Sequence, residues 1–119
     1  MYAFTPATAV FLHKAPVDFR KQINGLALIV QESMLLNPME EALFVFTNRQ
    51  ANRAKVLWWD KNGFCLWLKR LEKDRFIWPF AHDSEVLKLN GEQLSYLLAG
   101  LDIFKIPPHQ RLSYGAVGS

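Results

Sequence analysis

The sequence predicts a single α+β domain in which an antiparallel β-meander sheet is backed by two helices. Apolar residues recur with helical spacing in two separate segments, and the stretch between them breaks into the short apolar runs typical of strands. With 119 residues, 50% of them hydrophobic, the chain is long enough for one core without disulfides or metal ions. Because Pro107-Pro108 opens a polar terminus, we predict one domain over residues 1–106 and an extended or poorly ordered tail over 107–119.

The first elements are a strand and a helix. Ala9–His13 is the predicted strand, and Pro16 ends it. Asp18 is placed to cap a helix that continues to Asn37-Pro38. Gly25 inside this helix costs about 1 kcal/mol relative to alanine, which predicts either close packing there or a later helix start. The apolar face of the helix consists of Ile23, Leu26, Ala27, Val30 and Met34.

The later elements are strands followed by a second helix. Ala42–Phe46 begins the strands, a polar loop runs from Thr47 to Arg53, and Arg75–Trp78 is the last predicted strand. Asn90 is placed to cap the second helix, with Gln93 at the reciprocal position of a capping box. The helical positions that follow are Leu94, Leu97, Leu98 and Leu101, with Gly100 near the end.

The clearest hairpin joins Lys55–Trp59 to Phe64–Arg70. Asn62 and Gly63 suit the central positions of a type I′ turn, although a different loop length would shift the pairing. Alternation along these strands places apolar residues on both faces, so both faces must be covered or one must bind a partner. The predicted pairs are Trp59 with Leu66, Trp58 with Trp67, and Lys55 with Arg70.

Positive charge is concentrated in one stretch of the chain. The net charge is +3, but Arg49 to Arg75 contains eight basic residues against three acidic ones. Such a stretch either binds an anionic partner or forms a solvated face, and Lys69 and Arg70 have neighbouring acidic residues as alternative partners. Arg20 and Lys21 are open to the same two interpretations. If the partner is DNA, the predicted phosphate-binding residues are Arg49, Arg53, Lys55, Lys69, Arg70 and Arg75.

All four tryptophans lie between residues 58 and 78. An exposed tryptophan can stack on an unpaired base, but large aromatic side chains mostly supply buried area. We therefore expect Trp58 and Trp67 to be covered by a helix, by another subunit or by a protein partner, and we predict them as partner-binding residues.

Catalytic and cofactor-binding patterns are absent from the sequence, and we predict no catalytic residue, no cofactor and no metal site. The acidic residues Asp18, Asp60 and Glu72 are scattered, and no phosphate-binding glycine pattern occurs. The single cysteine, Cys65, favours a reducing compartment. The N-terminal residues lack the pattern of a signal peptide, so we expect a cytoplasmic protein without membrane contact.

An ordered set of short motifs resembles a known family. The motifs are Val17-Asp18-Phe19-Arg20-Lys21, Gly25-Leu26, Leu43-Phe44-Val45-Phe46, Asn48-Arg49, Lys55 to Asp60, Gly63 to Leu66, Lys69 to Glu72, Arg75-Phe76, Trp78-Pro79, Gln93-Leu94, Leu97-Leu98 and Gly100 to Asp102. Together they resemble the TnpB accessory proteins of insertion-sequence-66-type transposons, which are encoded by the second open reading frame of those elements. Asp74 stands in a turn where that family usually has glycine.

The resemblance implies a role in transposition beside a separate, larger transposase, and it carries no defined enzymatic activity. We therefore expect a non-enzymatic accessory factor whose partners are the transposase of the same element and the DNA of the transposon ends. The alternative is a protein-interaction or homodimerising module that does not bind DNA directly.

Overall fold

The computed structural model describes residues 4–105 and the backbone of residues 115–116. The elements are β1 (Ala9–His13), α1 (Ile23–Glu32), β2 (Leu43–Thr47), β3 (Arg53–Asp60), β4 (Gly63–Arg70), β5 (Val86–Asn90), α2 (Gly91–Leu98) and β6 (Gly115–Ala116). Apart from residues 115–116, the predicted tail lies outside the described residues.

One mixed sheet contains all six described strands in the order β4-β3-β2-β1-β5-β6. All neighbouring strands are antiparallel except β1 and β2, which are parallel and connected through α1. The predicted α+β class and the mainly antiparallel sheet are confirmed, while the parallel pair makes the sheet more than a simple meander.

The two helices cover opposite faces of this sheet. On one face, Leu26 and Val30 of α1 pack with Phe44 and Leu57 of the sheet. On the other face, α2 packs through a core whose buried side chains include Leu94, Leu97, Val10, Leu12, Val45 and Val56. Alternation along the strands therefore supplies two apolar faces, as predicted, and each has its own helix.

The capping box at the start of α2 is present as predicted. The Asn90 side chain accepts a hydrogen bond from the Gln93 backbone N–H at 2.8 Å, and the Gln93 side chain accepts one from the Asn90 N–H at 2.9 Å. After the helix ends, Gly100 adopts a φ of 89°, in the left-handed region that glycine favours.

Three predictions for the first helix and the hairpin are corrected. Helix α1 begins at Ile23 and ends at Glu32, and Asp18 instead caps the turn before it by accepting the Arg20 N–H at 2.9 Å. The hairpin turn is Lys61-Asn62, so the partners of Trp58 and Val56 are Cys65 and Trp67 respectively, two residues from the predicted register. Lys61 adopts a φ of 54°, and the turn does not need the positive φ that we expected Gly63 to supply.

The predicted last strand also differs. Residues 75–78 form no ladder because this segment crosses the α2 face, where Phe76 and Trp78 are buried and the Trp78 indole donates to the His13 carbonyl. The antiparallel neighbour of β1 is β5, a strand that was not predicted from the sequence.

Two further local features agree with sequence expectations. A Cβ atom on Gly25 would lie 3.1 Å from the Cβ of Lys21, so the chain is closely packed there. Asp74 adopts a φ of 66°, the conformation that glycine would favour in that turn. No helix in the described part of the chain is long and apolar enough to cross a membrane.

The structure predicts that Gly91→Ala destabilises the protein. A Cβ atom at Gly91 would lie 1.9 Å from the carbonyl oxygen of Thr5, so the N-terminal segment must move away from α2. We expect a loss of about 1–3 kcal/mol in the free energy of unfolding, measured by urea denaturation. Gly63→Ala is the matched control because no atom lies within 4 Å of its added Cβ, and a loss as large in the control would contradict the steric explanation.

Candidate nucleic-acid interface

The polar loop between β2 and β3 presents two of the predicted phosphate-binding arginines. Asn48 organises this loop, because its side-chain oxygen accepts the N–H groups of Asn52 and Arg53, each at 3.1 Å. Its side-chain nitrogen donates to the Asn52 side chain at 2.7 Å. Arg49 and Arg53 are exposed, and no ion pair among the described residues involves either side chain.

A second turn, formed by residues 16–21, lies beside this loop. The N–H of Val17 donates to the Thr47 carbonyl at 2.9 Å, which joins the turn to the end of β2. Within the turn, the Arg20 guanidinium donates to both carboxylate oxygens of Asp18, at 3.0 and 2.6 Å. These hydrogen bonds lower the pKa of Asp18 from 3.8 to about 2.

The buried side chain of Lys55 holds this turn from inside the protein. Its ammonium group donates to the carbonyls of Phe19 and Lys21 at 2.9 and 2.8 Å. The same nitrogen lies 4.7 Å from the centre of the Phe19 ring. Burial lowers the pKa of Lys55. The structure thus places this cation inside the protein against backbone carbonyls, and we leave Lys55 out of the phosphate-binding set that we propose.

The loop and the turn together line a solvent-open pocket of about 600 Å³. Three arginines line it: Arg20, Arg49 and Arg53. Asp18 is its acidic group, so the lining carries two more positive charges than negative ones. From the sequence Arg20 has two possible roles, anion binding or a solvated face, and Asn48 is not predicted to shape the loop, although both belong to motifs that carry the family resemblance. A polar residue at the start of a loop between strands was the available signal.

Two more predicted arginines lie at the same end of the sheet. Arg70 is the cross-strand partner of Arg53 and is paired with Glu72 at 2.9 Å. Arg75 is exposed, and the neighbouring Phe76 N–H donates to the Ala51 carbonyl at 2.8 Å, which attaches this segment to the arginine loop. We call the set Arg20, Arg49, Arg53, Arg70 and Arg75 the basic end.

Lys69 contacts α2, on the sheet face opposite to the one that Lys55 occupies. Its ammonium group donates to the Leu98 carbonyl at 2.9 Å, at the C-terminal end of α2. A cation is favourable there because the last carbonyls of a helix lack helical partners. Its position on the other face separates Lys69 from the basic end.

The two predicted partner-binding tryptophans lie on the same α2 face of β3 and β4. Both are half-buried and pack against the core that contains Val56, as do Leu71 and Phe104. Trp67 is directly opposite Val56, and Trp58 is opposite Cys65. Their indoles are therefore partly core and partly surface.

Across residues 4–105, no three acidic, histidine or cysteine side chains come together in a group that could hold a metal ion. Asp60 is at the hairpin turn, Glu72 is beyond the far end of β4, and Asp18 is bound by Arg20.

These features define a small α+β protein with a basic end and two helix-covered sheet faces. The chain belongs to the family described as IS66 Orf2 like protein, whose model matches residues 8–107. Family membership gives it an accessory role associated with the transposition of such elements.

Two curated proteins of Sinorhizobium fredii (strain NBRC 101917 / NGR234) are similar to this chain. The one named "Uncharacterized protein y4hO" is 43% identical over 93 residues, which cover 78% of this chain and 80% of that protein. The one named "Uncharacterized protein y4jC" is 39% identical over 87 residues, covering 73% and 74% respectively. No solved structure matches the chain.

We predict that Lys55→Met destabilises the protein even though methionine retains an apolar stem. The substitution removes the ammonium group that donates hydrogen bonds to the Phe19 and Lys21 carbonyls. The free energy of unfolding, measured by urea denaturation, should therefore fall by about 1–3 kcal/mol. Lys61→Met at the exposed hairpin turn is the control and should change stability by less than about 0.5 kcal/mol. Equal effects of the two substitutions would show that the buried ammonium group does not fix the turn.

Proposed function

We propose that this protein is a non-enzymatic accessory factor that binds DNA during transposition through its basic end. The observation that carries the proposal is the pocket in which Arg20, Arg49 and Arg53 come together from two separate segments. The setting we propose is the bacterial cytoplasm, with the transposase of the same element as the protein partner and the transposon ends as the DNA.

Arginine suits this role for a physical reason. A guanidinium group donates two parallel hydrogen bonds to phosphate oxygens and keeps its charge at all physiological pH values. The loop that presents Arg49 and Arg53 is held by the Asn48 hydrogen bonds, so little backbone freedom is lost when a phosphate binds. Arg70 and Arg75 extend the positive surface beyond the pocket.

The half-buried pair Trp58 and Trp67 favours a second candidate function, a protein-interaction module that contacts the transposase or a second copy. These indoles stay partly exposed because α2 packs mainly on β5 and β1. In this alternative the tryptophan surface binds the partner and DNA is contacted through the transposase alone.

The DNA-binding proposal predicts that the double substitution Arg49→Ala, Arg53→Ala weakens binding to transposon-end DNA. Loss of two phosphate contacts should reduce the slope of log K against log salt by about 1.8, because each contact contributes about 0.9. Fluorescence anisotropy with labelled transposon-end and scrambled duplexes, at several salt concentrations, measures this slope.

The matched control is Lys61→Ala, Lys88→Ala, which removes two exposed charges outside the basic end. Its salt slope should equal that of the native chain. Equal losses in both double variants would indicate a general charge effect and contradict a defined site. Absence of binding by the native chain alone, with a shift once transposase is added, would instead support the interaction module.

The substitution Asp18→Asn is expected to strengthen DNA binding, whereas the double arginine substitution weakens it. Asparagine keeps the side-chain oxygen that accepts the Arg20 N–H, but it removes the carboxylate that neutralises the guanidinium. Arg20 then becomes available to a phosphate, so the same anisotropy assay should give tighter binding and a salt slope steeper by about 0.9. Unchanged affinity and slope would exclude Arg20 from the DNA contact.

A further inference from the structure

The two edges of the sheet differ in how they are protected. At one edge, the two residues of β6 pair with Leu87 and Lys88 of β5. At the other edge is β4, an eight-residue strand that has no neighbour beyond it among the described residues. Its pairing with β3 is unbroken from Arg53↔Arg70 to Asp60↔Gly63, so no bulge twists this edge away from solvent.

Edge strands of monomeric proteins are normally short, interrupted by proline, or lined with inward-pointing charges, because their free N–H and C=O groups otherwise pair with another chain. Strand β4 has none of these protections over its central part. Five successive apolar residues run from Phe64 to Leu68, and Leu68 is 55% exposed. The first charged residue of the strand is Lys69, beyond this run.

We propose that β4 is a self-association surface, on which β4 of a second copy pairs in antiparallel orientation to make one continuous sheet. Antiparallel pairing about Leu66 places Leu68 opposite Phe64 of the second copy and Trp67 opposite its Cys65. Every apolar residue of the run then meets an apolar residue, and one strand supplies both sides of the interface, as two-fold symmetry requires.

The charge distribution favours this orientation, and the self-complementary apolar run favours a second copy as the occupant. The C-terminal end of β4 carries Lys69 and Arg70, with Arg53 opposite Arg70, whereas Asp60 and Lys61 cancel at the hairpin turn. Parallel pairing would place the two positive ends together. Antiparallel pairing places each positive end beside the neutral turn of the other copy, which removes that repulsion.

The native cysteine provides a direct test. In this register the two Cys65 residues are diagonal neighbours, about 7–8 Å apart between Cα atoms. We expect a short bifunctional maleimide to link two native chains through Cys65, and we expect sedimentation equilibrium to give twice the monomer mass of 13.8 kDa. Cys65→Ser should abolish the crosslink.

A substitution on β4 distinguishes dimerisation through this strand from association through another surface. Leu68→Lys adds a charge beside the edge and should raise the dimer dissociation constant about tenfold or more. Met39→Lys is the matched control, since Met39 is 54% exposed and lies outside the sheet, and it should leave the constant unchanged. A native chain that sediments as a monomer up to millimolar concentration would overturn the proposal. A dimer that gives no Cys65 crosslink and is unaffected by Leu68→Lys would also overturn it.

Discussion

The buried ammonium group of Lys55 is the interaction on which the basic end depends. A cation removed from water is costly unless it is hydrogen-bonded, and here the Phe19 and Lys21 carbonyls each accept a hydrogen bond from the ammonium group. Those carbonyls belong to the turn that carries Arg20 and precedes α1. Lys55 on β3 therefore holds the turn that forms one wall of the arginine pocket and leads into α1.

This constraint explains why one part of the site could be predicted from the sequence and another could not. The exposure of Arg49 and Arg53 could be predicted because a polar loop between two apolar strands is solvent-exposed wherever the strands pack. Lys55 was grouped with them because it has the same charge and lies in the same basic stretch. Its position on β3 points it under a turn 34 residues earlier in the chain. Charge counted along the sequence does not distinguish a cation that faces water from one that faces backbone carbonyls.

The same distinction between local and long-range information holds for the fold. Strand β1 and the capping box at Asn90 were predicted correctly because adjacent residues encode them. Strand β5 was missed because its pairing with β1 joins residues more than 70 positions apart, and the segment at 75–78 was assigned as a strand because it is a short apolar run. The buried residues Phe76 and Trp78 pack on the sheet face instead of joining the ladder.

The architecture also decides where interactions are available. Helices α1 and α2 pack on opposite faces, and the surfaces open to interaction include the loops at the ends of the strands and the edge strand β4. The basic end occupies one end of β3 and β4, and the apolar run of β4 begins two residues before Arg70 and extends away from it toward the turn. In an antiparallel dimer the two basic ends point in opposite directions, so self-association leaves both arginine pockets open. Binding an anion and pairing with a second copy are therefore compatible on the same sheet, because one uses the charged ends of the strands and the other uses the backbone between them.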